Sequence, residues 1–227
     1  MKEEKEGIPI TMLREVRILS HLKHPNVLSL LEVLVTQSPI MQKNMIYLVF
    51  DYLEHDLHGL LDSRMDFSIP QIKCIMIQIL QGVKYLHEHN VMHRDIKGAN
   101  ILLGNDGCVK LADFGLAKQS EQLNGNHTNR VVTLWYRCPE LLLGSDKYDT
   151  AIDIWSVGCC FAELLTLHPL FAENTEQKVI ELIYKKCGTP TPTTWPGVTE
   201  LKNYRTLGPK KLQMRSNLRE DLAKYKK

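Results

Sequence analysis

The chain has 227 residues, 24% of them charged and 44% hydrophobic, with 13 Gly, 10 Pro and a formal net charge of +2. That balance excludes collagen-like repeats, low-complexity disorder and a disulfide scaffold. The near-neutral total gives no support to broad non-specific nucleic-acid binding.

A chain of this length can bury a full core, as one large domain or as two unequal lobes. The start, Met1 to Glu6, has no apolar run behind it, so no secretory signal is expected. The longest nearly apolar stretch, Ile154 to Leu165, contains Glu163 and is too short for a membrane span. Cys74, Cys108, Cys138, Cys159, Cys160 and Cys187 show neither C-x-x-C nor metal-ligand spacing. They read as free thiols in a reducing compartment.

In chain order, Pro9 to Leu22 places Ile10, Leu13, Ile18 and Leu22 at roughly helical spacing, with Pro9 suited to a first turn. Val27 to Val35 and Met45 to Phe50 read as two strands of a hairpin around the turn-like Thr36-Gln37-Ser38-Pro39. From Pro70, the apolar positions 72, 75, 76, 79, 80, 83 and 86 mark an amphipathic helix. Ile101 to Leu103 and Cys108 to Leu111 flank Gly104-Asn105-Asp106-Gly107, a hairpin signal. Gln119 to Asn129 is polar and reads as a loop. Ala151 to Leu167 is apolar almost all round, which predicts a buried central helix, and Thr175 to Cys187 predicts another. Gly188 to Lys211 carries four prolines and reads as an irregular surface insert. The order predicts an α+β protein with a small sheet lobe and a larger helical lobe.

Four short strings carry chemistry: His93-Arg94-Asp95 with Asn100 five residues on, Asp113-Phe114-Gly115, Cys138-Pro139-Glu140, and Asp153 in the apolar helix. Each alone has a plain structural explanation. His93 suits a packed core, Asp113 a turn, and Glu15 a solvated helix face beside Arg14 and Arg17. Arg137 suits a pair with Glu140, Thr128 an unmodified turn, and Cys138 an inert core thiol. Together they are more specific. Asp95 and Asn100 precede one strand of a tight hairpin and Asp113 follows its partner, so the hairpin brings the three together. A carboxylate and an amide oxygen suit divalent cations beside phosphate. A second carboxylate can face a hydroxyl, and Lys97 adds positive charge.

On these motifs the chain resembles a eukaryotic protein kinase of the cyclin-dependent type. Pro9-Ile10-Thr11-Met12-Leu13-Arg14-Glu15 is similar to that family's cyclin-contacting helix. Asp113 to Lys118 and Val131 to Arg137 resemble the two ends of its activation segment. Glu4 to Thr11, Phe50 to Leu57 and Thr128 to Thr133 are most similar to the transcriptional branch.

The resemblance implies a bilobal kinase fold, with residues 1–51 as the remnant of the small lobe and 52–227 as the large lobe. It implies ATP and Mg2+ as cofactors, a cyclin subunit as partner, and nuclear localisation. Substrates would carry Ser/Thr-Pro sites, the repeated tail of RNA polymerase II among them; no direct nucleic-acid or membrane contact is implied. Asp95, Lys97, Asn100 and Thr133 would be catalytic, with Asn100 and Asp113 holding metal. Phe50, Asp51, Leu53, Asp56, Leu102 and Asp113 would line the ATP site. Leu13 would face the cyclin, and Glu15 would pair with the ATP-contacting lysine. A phosphate on Thr128 would gather Arg14, Arg94 and Lys118, and Val131 with Arg137 would shape a pocket for the residue after the target Ser or Thr. Asp153 would hold the catalytic loop from below.

The chain departs from the family pattern. No G-x-G-x-x-G and no V-A-I-K-like strand stands before Glu15, and neither Lys2 nor Lys5 is a good substitute. Lys118 stands where the family has Arg, so phosphate clamping should be looser. The family continues past residue 227 with helices that supply Glu140 with an arginine. These departures imply a chain truncated at both ends, by gene model or as a short isoform, with low activity. Two alternatives stand beside this reading: a non-catalytic fragment that competes for cyclin, and a mitogen-activated-type kinase. The second is disfavoured because the loop reads His127-Thr128-Asn129-Arg130 rather than Thr-x-Tyr.

Overall fold

The computed structural model describes residues 10–37, 44–119, 131–209, 214–223 and 225. Thr128 lies outside the described residues, as does most of the polar stretch around it; the side chains of Leu13 and Arg14 also lie outside.

Helix α1 spans Ile10–Leu19 and turns Ile18 and Leu19 into the core. Strands β1 (Leu30–Gln37) and β2 (Asn44–Phe50) pair antiparallel, with Val33 opposite Leu48 and Leu34 opposite Tyr47. The first strand starts later than expected. Val27 instead bridges in parallel to Leu111, and the Leu28 N–H donates to the Leu111 carbonyl at 2.8 Å. Asn26 causes this: it is buried, its amide donates to the Val109 carbonyl at 2.9 Å, and its own carbonyl accepts the Leu111 N–H at 3.0 Å. Thr36 and Gln37, expected in a turn, continue the ladder opposite Met45 and Asn44, as β-branched Thr readily does.

Strand β3 (His55–Asp56) leads into α2 (Leu57–Asp62), whose first turn is capped by the Asp56 carboxylate accepting the Gly59 N–H at 2.9 Å. The long helix α3 (Ile69–Glu88) starts where the Gln71 side chain accepts the Ser68 N–H and Pro70 occupies the first turn. It buries Ile72, Ile75, Ile79, Val83 and Leu86, as the spacing predicts, while Leu80 is exposed. Gly82 lets this helix touch the strand layer. A Cβ there would stand 2.7 Å from the Asn26 carbonyl.

After β4 (Val91–Met92), the expected hairpin forms from β5 (Ile101–Leu103) and β6 (Val109–Leu111), its turn closed by Gly107 at φ 82°. The sheet order is β3-β5-β6, and β4 pairs with β7 (Lys118–Gln119).

Helices α4 (Pro139–Leu142), α5 (Ala151–Thr166), α6 (Glu176–Cys187), α7 (Tyr204–Leu207) and α8 (Leu218–Ala223) complete the described chain. α5 is less enclosed than predicted. Ile154 and Phe161, seven residues apart and so on one face, are 49% and 41% exposed. The proline-rich insert is not wholly on the surface either. Val198 is fully buried, and the Asn203 N–H donates to the Leu143 carbonyl at 2.8 Å. One continuous apolar cluster runs from α1 through α3 and the β5–β6 hairpin to α5 and α6. Among the described residues no helix is long and apolar enough to cross a membrane. The architecture is α+β: small antiparallel sheets followed by a mainly helical body.

Candidate active site

The loop between β4 and β5 is built on a buried carboxylate. Asp153, 1% exposed on α5, accepts the N–H groups of His93 and Arg94, each at 2.9 Å. His87 Nε2, from the end of α3, lies 2.8 Å from the same side chain. Arg94 is thereby held at φ 66°, a left-handed conformation that is unfavourable for a non-glycine residue. Asp113 and Val132 share that conformation, at 64° and 65°. Backbone strain thus gathers around the candidate site.

His93 is fully buried. Its Nδ1 accepts the Asp95 N–H at 3.3 Å, so Nε2 carries the proton and donates to the Ala112 carbonyl at 3.0 Å. Burial lowers its pKa, which keeps the ring neutral and suits this tautomer. The ring also stands against the buried Phe114, with centroids 5.0 Å apart. The core reading of His93 and its place in the loop are one arrangement: a packed histidine that ties the Asp95 loop to the Asp113 loop.

Asp95 is buried at the centre. One carboxylate oxygen, Oδ2, accepts from Lys97 Nζ at 2.7 Å and from the Asn100 amide at 3.1 Å. The other, Oδ1, accepts the Thr133 hydroxyl at 2.8 Å and the Thr133 N–H at 3.2 Å. Lys97 also donates to the Thr133 hydroxyl at 3.2 Å. Asp95, Lys97, Asn100 and Thr133 therefore form one hydrogen-bonded unit, although Thr133 lies 38 residues from Asp95 in the chain.

Asn100 uses its amide nitrogen for both bonds to Asp95, at 2.9 Å to the carbonyl and 3.1 Å to the carboxylate. Its amide oxygen has no protein partner among the described residues. The Ala112 N–H donates to the Asn100 carbonyl at 2.9 Å and so seats Asp113 beside this loop. Asp113 is exposed, and one of its oxygens accepts the Gly115 N–H at 3.2 Å. Glu15, half-buried on α1, faces it. Burial raises the Glu15 pKa, and the negative charge of Asp113 raises it further. Negative charge is concentrated here with no cation beside Glu15 among the described residues. An amide oxygen and a carboxylate oxygen are suitable hard donors for Mg2+, which keeps its remaining positions for water and phosphate oxygens. No group of three His, Cys, Asp or Glu suited to a metal occurs among the described residues. The donor set therefore fits a metal shared with a phosphate ligand rather than an all-protein cage.

Asp56 and Leu102 are register partners in β3 and β5. Phe50 ends β2 and packs on the core. Asp51 follows it, 3.4 Å from Lys110, and Leu53 lies beyond.

Arg137 does not pair with Glu140. It donates to the Val131 carbonyl at 3.0 Å and the Val132 carbonyl at 3.0 Å, and pairs with Glu176 at 2.7 Å. Glu140 instead interacts with the buried Cys138 thiol, whose pKa burial pushes far up. Arg94 donates to the Leu116 carbonyl at 2.7 Å and the Tyr148 hydroxyl at 3.1 Å. Lys118 lies in β7 opposite Met92.

Residues 1–220 match the family model described as protein kinase domain. The chain belongs to the protein kinase domain family. Its relatives include cyclin-dependent kinase C-1 of Oryza sativa subsp. japonica, 48% identical over 97% of this kinase chain and 45% of that protein. Cyclin-dependent kinase 9 of Danio rerio is 50% identical over 87% of this chain and 55% of that one. Among solved structures, the yeast RNA Pol II CTD kinase CTDK-1 complex matches with a TM-score of 0.89 and 39% identity, covering 98% of this kinase chain and 72% of that one. The chain spans under half the length of the rice relative. The resemblance to the transcriptional cyclin-dependent kinases is thus shown by sequence and by fold.

Two contributors escaped sequence reasoning. His87 meets Asp153 across 66 residues, and a histidine near a helix end carries no local signal of that contact. Tyr136 donates from its hydroxyl to the buried Glu163 at 2.8 Å, supporting the segment that carries Thr133. Glu163 inside an otherwise apolar run was the available hint.

Proposed function

We propose that the chain is the catalytic part of a cyclin-dependent, proline-directed Ser/Thr protein kinase that acts in the nucleus on the repeated tail of RNA polymerase II. The single observation that carries this reading is the hydrogen-bonded unit of Asp95, Lys97, Asn100 and Thr133 seated beside Asp113. The substrate is inferred from the yeast structural relative, an RNA Pol II CTD kinase. We assign residues 1–51 to the small lobe and 52–227 to the large lobe.

In this reading, Asp95 orients the incoming hydroxyl and accepts its proton, as it now accepts the Thr133 hydroxyl. Lys97 neutralises charge on the transferred group. Asn100 and Asp113 hold Mg2+, which when bound draws the phosphate oxygens together and offsets their charge. Phe50, Asp51, Leu53, Asp56 and Leu102 hold the nucleoside. Arg137 fixes the Val131 and Val132 carbonyls and thereby shapes the pocket beside the target residue. Leu13 meets the cyclin, and phosphorylated Thr128 draws on Arg14, Arg94 and Lys118. Because these 227 residues include no glycine-rich phosphate cover before Glu15, the isolated chain turns over slowly.

The test is phosphate transfer from Mg-ATP to a Ser-Pro repeat peptide by the chain with cyclin. Asp95→Asn should abolish transfer while nucleotide binding persists; unchanged transfer would refute the assignment. A second reading, a cyclin-binding module without turnover, is favoured by the lack of a glycine-rich loop before Glu15 in these 227 residues. Cyclin capture without any Mg-ATP binding would select it.

A further inference from the structure

We propose that the junction of α6, α7 and residues 214–219 is a binding surface for single-stranded nucleic acid. The whole-chain charge of +2 hides an uneven distribution. Residues 185–227 hold 11 of the 28 Lys and Arg but only three of the 26 Asp and Glu, a formal charge of +8, which leaves −6 for the residues before them. Asymmetry of this kind along one chain marks a surface for a polyanion that the near-neutral total conceals.

The fold gathers the described part of this excess around one turn, Tyr184 to Gly188. The Tyr184 hydroxyl donates to the Leu207 carbonyl at 3.4 Å, which sets α7 against α6. The Lys186 carbonyl accepts the Ser216 hydroxyl at 3.0 Å and the Asn217 N–H at 3.1 Å, and the Thr189 N–H donates to the Met214 carbonyl at 3.0 Å. Residues 214–217 are thus laid along the end of α6 and lead into α8. Lys185 on α6, Arg205 on α7, Arg215, and Arg219 on α8 are all exposed, and none is ion-paired among the described residues. Two neighbours are neutralised, Lys186 by Asp221 at 3.0 Å and Lys202 by Asp146 at 2.6 Å. Glu200 and Glu220 are the exposed acids of the same stretch, too few to cancel the four cations.

Ordinary helix chemistry explains only Lys185, which suits the negative end of α6. Arg219 stands in the first turn of α8, where a cation gains nothing from the helix. Three of the four cations are Arg. A guanidinium takes phosphate oxygens in a fork and stacks on a base face, which an ammonium cannot do. Half-buried Trp195 and Tyr204 belong to the same stretch and offer further ring faces. Cations interleaved with planar groups fit a strand whose bases are unpaired, whereas a carboxylate-bearing partner leaves the ring faces unused. The surface is apart from the candidate active site. Glu176, at the start of α6, pairs with Arg137, and about 16 Å of helix separates it from Cys187 at the other end. The inference therefore goes beyond the proposed phosphate transfer and does not need it.

The test titrates the 227-residue chain into a fluorescein-labelled oligouridylate of about 15 nucleotides, read by anisotropy at several salt concentrations. Oligothymidylate, a duplex of the same length and polyglutamate of matched charge are the parallel probes. Micromolar binding at low salt is expected, with log Kd rising against log salt at a slope of about 3 for four phosphate contacts. Lys185→Glu, Arg215→Glu and Arg219→Glu should each weaken binding about tenfold and flatten the slope. Lys73→Glu, the same charge change at an exposed position on α3, should leave binding within about twofold. Urea midpoints check that each variant keeps its fold. The tighter of oligouridylate and oligothymidylate names the source of the strand. Equal affinity for polyglutamate or for the duplex would overturn the proposal, as would salt-independent binding or an equal loss with Lys73→Glu. No readout depends on turnover, so failure here is distinct from failure of the kinase reading.

Discussion

Replacing Asp153 by Asn changes one oxygen into an NH2 group inside a pocket built for acceptors. The retained oxygen can keep the Arg94 N–H, at 2.9 Å in the parent, although the bond loses its charge assistance. The new NH2 then faces the His93 N–H, also at 2.9 Å, donor against donor. His87 Nε2 can answer by changing tautomer, so one buried backbone donor is left without a partner. An orphaned buried N–H costs about 1–3 kcal/mol, and weakening the second bond adds about 1 kcal/mol. Removing a buried charge returns part of this, which leaves a net loss of about 2 kcal/mol. Urea unfolding followed by tryptophan fluorescence reads that loss as a lower midpoint at unchanged slope. The strained Arg94 conformation should relax with it, so amide exchange at positions 93 and 94 should rise. An unchanged midpoint together with unchanged exchange at those amides would refute the claim that Asp153 holds the loop.

Lys97→Met removes the cation that touches both Asp95 and Thr133; phosphate transfer by the cyclin-bound chain should fall about 100- to 1,000-fold while the fold persists. Burial raises the Glu163 pKa, the largest influence on it, although the Tyr136 hydroxyl donates to this carboxylate. The folded state therefore retains this proton to higher pH than the unfolded state does, and stability should fall as pH rises from the ordinary carboxylate pKa through the raised one. Glu163→Gln should flatten that fall, as read from urea midpoints across the same window. Gly82→Ala places a methyl group 2.7 Å from the Asn26 carbonyl, so α3 must shift; a loss of about 1–3 kcal/mol in the same unfolding assay is expected.

What was legible in the sequence was what local pattern encodes. The α3 stripe, the Gly104–Gly107 turn and the placing of Asp95, Asn100 and Asp113 around one hairpin follow from spacing and turn chemistry. Less legible were features decided at a distance. β3 is two polar residues whose pairing with β5 has no periodic signal. Val27 reads as a strand start, yet the buried Asn26 binds it to Leu111 instead. At the site, Thr133 and Asp95 meet only because Arg137 and Tyr136 fold the segment back, through bonds to the Val131 and Val132 carbonyls and to Glu163. Arg137 itself chose Glu176 over the neighbouring Glu140, a choice that depends on where α6 packs.

The most direct measurement is the position of a Mn2+ ion, located by its anomalous scattering, in crystals of the chain grown with a non-hydrolysable ATP analogue. A peak is expected about 2 Å from oxygens of both Asn100 and Asp113, with the phosphates completing its shell. A nucleotide bound with its metal distant from either side chain would contradict it.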